Sequence, residues 1–307
     1  MDNGLIELFP REYRRYWERV CGAREQLQEI RLRAEKPVVV LLRGREWFVT
    51  PQGEWTGDVG RARYASAEEV RGLLQHICEY SPYAYEEELR RGYLTLSGGH
   101  RVGIVGQVVM EGTTVRTIKN VAALNIRIAH QIKGIADGVM PYMYHHGMLR
   151  NTLIISPPGC GKTTLLRDII RQVSNGNAYA NGMTVGVVDE RSELAGCYMG
   201  VPQNDIGVRT DVLDGCPKEL GMLMLLRSMS PKVIAIDELG GGEEFKALQV
   251  ASACGCSVIA TAHGMNQADV EERFPFAEGG LKELFELLLV LGRRNGLCAV
   301  EKIKEIR

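Results

Sequence analysis

Residues 152–166 read Thr-Leu-Ile-Ile-Ser-Pro-Pro-Gly-Cys-Gly-Lys-Thr-Thr-Leu-Leu, and this stretch decides the fold. The apolar run Thr152–Ser156 predicts a buried strand. Gly159 and Gly161 then let backbone amides curl around an anion, because glycine takes the required φ values at little cost. Lys162 would set an ammonium against β- and γ-phosphates, and Thr163 a hydroxyl on Mg²⁺. Leu165, Leu166, Ile169, Ile170 and Val173 share one face of a helix expected over Thr163–Ser174, whose positive end points at the anion. Ser156, Pro157, Pro158, Gly159, Cys160, Gly161, Lys162, Thr163 and Thr164 are therefore the expected nucleotide-binding residues. The phosphate-loop pattern G-x-x-x-x-G-K-[ST] has glycine first, where this chain has the small Ser156.

Downstream, Val233-Ile-Ala-Ile-Asp237-Glu238 is an apolar run ending in two carboxylates. A buried strand would bring them to the sheet edge that carries the phosphate loop. Asp237 is expected to hold Mg²⁺ together with Thr163, and Glu238 to orient or deprotonate an attacking water. A second strand end competes. Thr184-Val-Gly-Val-Val-Asp189-Glu190-Arg191 has the same form, so Asp189 or Glu190 is an alternative base, or the pair makes salt bridges with Arg191. Ser257-Val-Ile-Ala-Thr261-Ala-His263 is a third strand end, whose hydroxyl or imidazole could contact the γ-phosphate or the lytic water. His263 is the expected sensor.

From Asn151 onward, apolar strands (Thr152–Ser156, Thr184–Asp189, Val233–Asp237, Ser257–Thr261) alternate with helical stretches (Thr163–Ser174, Leu220–Met229, Glu243–Ala253). That alternation predicts a mainly parallel sheet covered by helices. Near the end, Glu286–Arg293 and Leu297–Ile306 flank Arg294-Asn295-Gly296, a strong hairpin signal. Upstream lies a different texture. Gln28–Arg33, Pro37–Leu42, Glu46–Thr50, Tyr93–Leu96, Arg101–Met110, Thr113–Ile118 and Asn125–Ile128 read as short strands. Ser66-Ala-Glu-Glu69 reads as a capping box opening a helix. The expected organisation is a smaller N-terminal α+β domain over 1–132, a linker over 133–150, and an α/β domain over 151–307 ending in a β-hairpin. The fold class is α/β, with a RecA-like, ASCE-type P-loop core.

The bulk figures agree with an ordinary globular chain. Of 307 residues, 45% are hydrophobic and 24% charged, with a formal net charge of −1. Near-neutrality argues against a surface built wholly for nucleic acid. No basic segment followed by an apolar one opens the sequence, and no run of apolar residues is long enough for a bilayer span. The eight cysteines are scattered, which reads as reduced thiols in a cytoplasmic setting. Cys254-Gly-Cys256 lacks the spacing and partners of a metal site.

The residues also resemble a known superfamily. Leu226-Arg-Ser-Met-Ser-Pro231 running into Asp237-Glu238, then Glu243, Ala247-Leu248, Ala251, Ala253, Gly255 and Thr261-Ala-His263, are similar to the conserved segments of type II and type IV secretion ATPases. Asp189 and Glu190 fall where those enzymes carry an acidic box, and Glu29-Ile-Arg-Leu-Arg33 is similar to part of their N-terminal domain. Within that superfamily the chain resembles the stage III AA sporulation family of endospore-forming bacteria, in Leu96–Gly103, Ile155–Thr164, Asp189-Glu-Arg-Ser-Glu193 and Arg209-Thr-Asp-Val-Leu213. There are departures. Cys256 stands for the first histidine of the secretion His box, Gly240-Gly241 for an Arg-Asp, and Asp237 for a glycine.

The resemblance implies an ATP- and Mg²⁺-dependent hydrolase, assembled as a homo-hexamer. It would sit in the mother-cell cytoplasm, peripheral to a membrane, and energise membrane-embedded components of a sporulation channel. An arginine from a neighbouring subunit would neutralise transition-state charge, with Arg101, Arg127 and Arg209 as candidates. Two alternatives stay open: a motor or loader stimulated by nucleic acid, for which Arg11, Arg14, Arg15 and Arg19 are the support, and a nucleotide-gated scaffold with little turnover.

Overall fold

The computed structural model describes residues 4–22, 26–79, 85–273, 280–292 and 298–306, without the side chains of residues 86, 87 and 273. The chain forms two compact units, Met1–His130 and Gln131–Arg307.

The first unit is built on an antiparallel sheet of seven strands: Leu27–Arg33 (β1), Val39–Leu42 (β2), Arg45–Val49 (β3), Trp55–Thr56 (β4), Tyr93–Thr95 (β5), Arg101–Glu111 (β6) and Thr114–Arg127 (β7). Their order is β4-β3-β2-β1-β7-β6-β5. Arg43 and Gly44 turn β2 into β3 with φ of 47° and 75°, the twist a two-residue hairpin needs. Helix Arg14–Val20 (α1) precedes β1 and helix Ala67–Ile77 (α2) lies between β4 and β5 in sequence, and Trp17, Val70 and Leu73 join Ile30, Leu32, Leu124 and Ile126 in one core. Ser66 caps α2, its Oγ accepting the Glu69 amide at 3.0 Å, while the Glu69 carboxylate pairs with Arg63.

One expectation changes here. Thr113–Ile118 and Asn125–Ile128 are not two strands but parts of the single 14-residue β7. The strand survives the interruption because Asn120 takes a left-handed φ of 47° opposite a register shift between Val105 and Gln107. A Cβ on Gly106 would lie 2.7 Å from the Lys119 carbonyl. Bulge and left-handed Asn together let the ladder continue.

The second unit carries strands Thr152–Ser156 (β8), Val185–Asp189 (β9), Thr210–Asp214 (β10), Val233–Ile236 (β11), Ser257–His263 (β12), Leu287–Gly292 (β13) and Ala299–Glu305 (β14). The order is β10-β9-β11-β12-β8-β13-β14. All neighbours are parallel except β13 and β14. Successive residues of the buried strands go to opposite faces. Ile154, Val187 and Ala235 pack with Leu165, Ile169 and Val173 of helix Lys162–Asn175 (α3). Leu153, Ile155, Val188, Ile234 and Ile236 pack with Met222 and Leu225 of helix Lys218–Ser228 (α4), and with Phe245 and Leu248 of helix Gly242–Ala253 (α5). A sheet apolar on both faces is the form a doubly covered parallel sheet requires.

The expected strands and helices of this unit recur with shifts of a residue or two at their ends. β10 adds an edge strand that the sequence reading did not assign. The 133–150 segment, expected as a linker, contributes Ala136, Val139, Met140, Met143 and Leu149 to the core around α3. β13 and β14 pair as a hairpin does, and their Arg294-Asn295-Gly296 turn lies outside the described residues. Among the described residues no helix is long and apolar enough to cross a membrane.

Candidate functional site

The parallel strands β8, β9, β11 and β12 all deliver their C-terminal ends to one edge, where ligands bind in open α/β sheets. At that edge the chain leaves β8 through Ser156 and re-enters helix at Lys162. Gly159 and Gly161 have φ of 75° and 90°, a region open to glycine at little cost. Pro157 is half-buried, while Pro158 and Gly159 are exposed. Cys160 is buried under the loop. Its carbonyl accepts the Cys298 amide at 2.9 Å, and the Cys298 thiol donates to the Gly161 carbonyl at 3.1 Å. The start of the last strand thus backs the loop. Thr164 is half-buried one residue beyond Thr163 at the start of α3.

Lys162 is only 6% exposed. Its Nζ donates to His263 Nδ1 at 3.1 Å and reaches Ser156 Oγ at 3.4 Å. Burial lowers its pKa, against the pull of the Asp237 and Glu238 carboxylates. Thr163 Oγ1 donates to Asp237 Oδ2 at 2.5 Å, and Thr261 Oγ1 donates to Asp237 Oδ1. Thr163 and Asp237 therefore bring a hydroxyl and a carboxylate together at the helix start, a hard oxygen set that fits Mg²⁺.

Glu238 sits in the left-handed region, φ 55°, which a non-glycine residue adopts when its surroundings hold it there. Its amide donates to Thr261 Oγ1 at 2.8 Å, and its carbonyl accepts from Lys218 Nζ at 2.9 Å. Its carboxylate faces His263 Nε2 at 3.2 Å through Oε1, and Arg191 Nη1 at 2.7 Å through Oε2. His263 thus bridges Lys162 to Glu238. Lys162 donates to Nδ1, so Nε2 carries the proton toward the carboxylate.

The other acidic strand end is arranged differently. Asp189 is 3% exposed, and its two oxygens accept the amides of Glu193, Leu194 and Ala195 at 2.9, 3.0 and 2.8 Å. Burial pushes its carboxyl up, against the opposing pull of those amides. Glu190 turns to Lys218, Oε2 to Nζ 3.2 Å. Arg191 pairs with Glu238 rather than with its own neighbours. Of the arginine candidates, Arg209 donates to the Ser174 carbonyl at 2.9 Å. Arg101 and Arg127 belong to the first unit, where Arg101 lies over the Tyr93 ring and Arg127 faces Glu29.

Arg191, expected to pair with Asp189 or Glu190, reaches Glu238 instead. Two residues of this edge carry no expectation from the sequence. Lys218, at the start of α4, donates to the Glu238 carbonyl and binds Glu190 and Glu244. Arg167, on α3, is 9% exposed and donates to the carbonyls of Leu194 and Glu193. A cation at a helix start after Pro217 and one at the i+4 position of the phosphate-loop helix carry no motif, so only the fold reveals them.

Residues 3–307 match the family described as Sporulation stage III, protein AA. The chain belongs to this family. It is 42% identical over 278 residues to Stage III sporulation protein AA of Bacillus subtilis (strain 168), covering 91% of this chain and 86% of that protein. In three dimensions it resembles the Legionella pneumophila ATPase DotB, with a TM-score of 0.60, 18% identity, and 92% of this chain and 76% of that chain covered. It also resembles the pilus retraction motor PilT solved with bound ADP, with a TM-score of 0.60, 16% identity, and 88% and 77% covered. At such identities the likeness is one of fold. The family member described here therefore has the fold of P-loop secretion and motor ATPases.

Proposed function

We propose that this chain hydrolyses ATP with Mg²⁺ and couples the reaction to a secretion-like complex built during endospore formation. The observation that carries the reading is the meeting of Thr163 and Asp237 at 2.5 Å, at the start of the helix that the glycine loop opens. The loop amides and Lys162 would hold the phosphates, with Ser156 and His263 steering the ammonium. Thr163 and Asp237 would hold Mg²⁺, which supplies charge neutralisation at the β- and γ-oxygens. Glu238 would accept the proton of the attacking water or orient it. His263, bridging Lys162 and Glu238, would link phosphate binding to the placement of that base. Glu190, turned to Lys218, would serve as an anchor of the site rather than as its base.

Membership of the sporulation family supports the cellular setting. Similar solved proteins described as an ATPase and as a motor with bound ADP support nucleotide use. The chain would act as a homo-hexamer on the cytoplasmic face of a membrane, against membrane-embedded components of the complex. The N-terminal unit over 1–132 would move relative to the nucleotide-binding part as hydrolysis proceeds.

The test is phosphate release from the full chain with Mg²⁺-ATP, wild type beside Lys162→Ala and Glu238→Gln. The expected result is loss of turnover in both, with nucleotide binding retained in Glu238→Gln. Wild type that binds nucleotide but never releases phosphate, alone or with sporulation membranes added, would defeat the hydrolase reading.

A further inference from the structure

We propose that Arg191 is a phosphate-sensing arginine acting within its own chain, which exchanges between the Glu238 carboxylate and the terminal phosphate of a bound nucleoside triphosphate. This rests on the nucleotide-binding reading above and adds to it a residue that no phosphate-loop motif contains.

Four side chains form a continuous line from the phosphate loop outward. Lys162 Nζ meets His263 Nδ1 at 3.1 Å, His263 Nε2 meets Glu238 Oε1 at 3.2 Å, and Glu238 Oε2 meets Arg191 Nη1 at 2.7 Å. The lysine that would grip the phosphates and the guanidinium are thus separated by one imidazole and one carboxylate. The arginine is rooted at its base and loose at its tip. Asp189, two residues before it, is locked by three amides. Ser192, just after it, donates to Asp214 Oδ1 at 2.6 Å. Its own side chain is 65% exposed, and a solvated ion pair of that kind is held weakly.

The neighbouring arginines of this unit are committed elsewhere. Arg167 donates to two backbone carbonyls, Arg171 pairs with Asp168, and Arg209 donates to the Ser174 carbonyl. A guanidinium presents a planar fork that fits a phosphate through two N–H groups at once. A multiply charged terminal phosphate would compete with one carboxylate for it. While Arg191 grips Glu238, one carboxylate oxygen is occupied. Transfer of the guanidinium to phosphate frees that oxygen for water, so the base becomes available only when a third phosphate is bound.

The experiment compares affinities for ATP and ADP by displacement of a fluorescent nucleotide, with Mg²⁺, for wild type, Arg191→Ala, Arg191→Lys and Glu238→Gln. The expected result is a fall of about tenfold in the ATP-to-ADP affinity ratio for Arg191→Ala, with ADP affinity unchanged and Arg191→Lys between the two. Glu238→Gln removes the competing charge and should raise the ratio. An unchanged ratio in Arg191→Ala, with both nucleotides still bound, overturns this proposal and leaves the nucleotide-binding reading standing. Wild type that binds neither nucleotide overturns both.

Discussion

Two strand ends in the second unit read almost alike, Val-Val-Asp189-Glu190 and Ala-Ile-Asp237-Glu238, and the fold gives them opposite employment. Asp189 is sealed, its oxygens consumed by the amides of Glu193, Leu194 and Ala195. Asp237 instead holds two hydroxyls, Thr163 and Thr261, that belong to other elements. Glu190 is tied to Lys218, whereas Glu238 points to His263 and Arg191. The cause lies in the path of the chain just beyond each pair. After Asp189 the chain turns back at once, so its own amides reach the carboxylate. After Asp237 the next residue is held in a left-handed bend, and Leu239 hydrogen-bonds to the neighbouring strand at Thr261, which leaves the carboxylates to side chains. A strand-end acid satisfied by its own chain is closed to a ligand, whereas one held by side chains of other elements can exchange them for one.

The largest difference should appear in turnover. Glu238→Gln is expected to lower phosphate release by about a thousandfold, the range of a lost general base, while Glu190→Gln stays within about threefold. Steady-state release at saturating Mg²⁺-ATP checks this. Equal losses would mean that Glu190 shares the water-activating role despite its hold on Lys218.

Stability should show the reverse order. Asp189→Ala leaves three buried amides without an acceptor and is expected to cost about 3 kcal/mol. Asp237→Asn keeps an acceptor for one hydroxyl and offers the other an N–H from which it can accept, so it is expected to cost about 1 kcal/mol, while abolishing Mg²⁺-dependent turnover. Urea unfolding of the two variants, read beside their rates, separates the roles. Comparable unfolding midpoints would remove the distinction between sealed and working carboxylates.

These contrasts lie beyond what the sequence could show, and the reason is physical. β8, β11 and β12 were legible because apolar runs bounded by turns leave few alternatives, and the glycine loop because its φ demands are met by so few residues. β10 was not legible. At a sheet edge Thr210–Asp214 is partly exposed throughout, and its two adjacent apolar residues between polar ones show neither an alternation nor an apolar run. The 133–150 segment looked like a connection from its Gly, Pro and Met content, yet Val139, Met140 and Met143 bury against the face of α3, an apolar contact without period. Asp237 and Glu238 stood out as a motif, but the partners that distinguish them from Asp189 and Glu190 come from α3, α4 and β12. Side-chain pairing across elements has no local signature.

Lys218 touches both strand ends and supplies the next test. Its ammonium donates to the Glu238 carbonyl and pairs with Glu190 and Glu244. Lys218→Ala should cost about 2 kcal/mol, because it leaves the Glu238 carbonyl and the largely buried Glu244 carboxylate without their cation, while the more exposed Glu190 turns to water. It should also lower turnover more than Glu190→Gln does, since Glu238 loses the hold on its backbone. Turnover equal to that of Glu190→Gln would show that the Glu238 bend stands without this lysine.

The smallest effect tests whether amides alone decide how a sealed carboxylate titrates. Asp168, on α3, exposes as little surface as Asp189, lies in shallower packing, and also accepts a backbone amide, that of Ala136 at 2.9 Å. It differs in having Arg171 at 2.7 Å and Gln172 at 3.1 Å. Burial pushes the Asp168 carboxyl up, but the amide, Arg171 and Gln172 together outweigh it, and the net direction is down. For Asp189 the amides do not outweigh burial and the net direction is up. The signs have opposite consequences. A carboxyl lowered in the fold binds fewer protons there than in the unfolded chain, so its stabilisation is present above the unfolded value, about 3.9, and is lost as pH falls through the folded one. A raised carboxyl favours the fold on the acid side and loses that contribution as pH rises through its folded value. Asp168→Asn should therefore be less stable than wild type by about 1 kcal/mol near neutrality, with the gap closing as pH drops below about 4. Urea midpoints across that range measure it. A gap independent of pH would mean that the fold does not lower the Asp168 carboxyl, and a gap that widens as pH falls would mean that it is raised as that of Asp189 is.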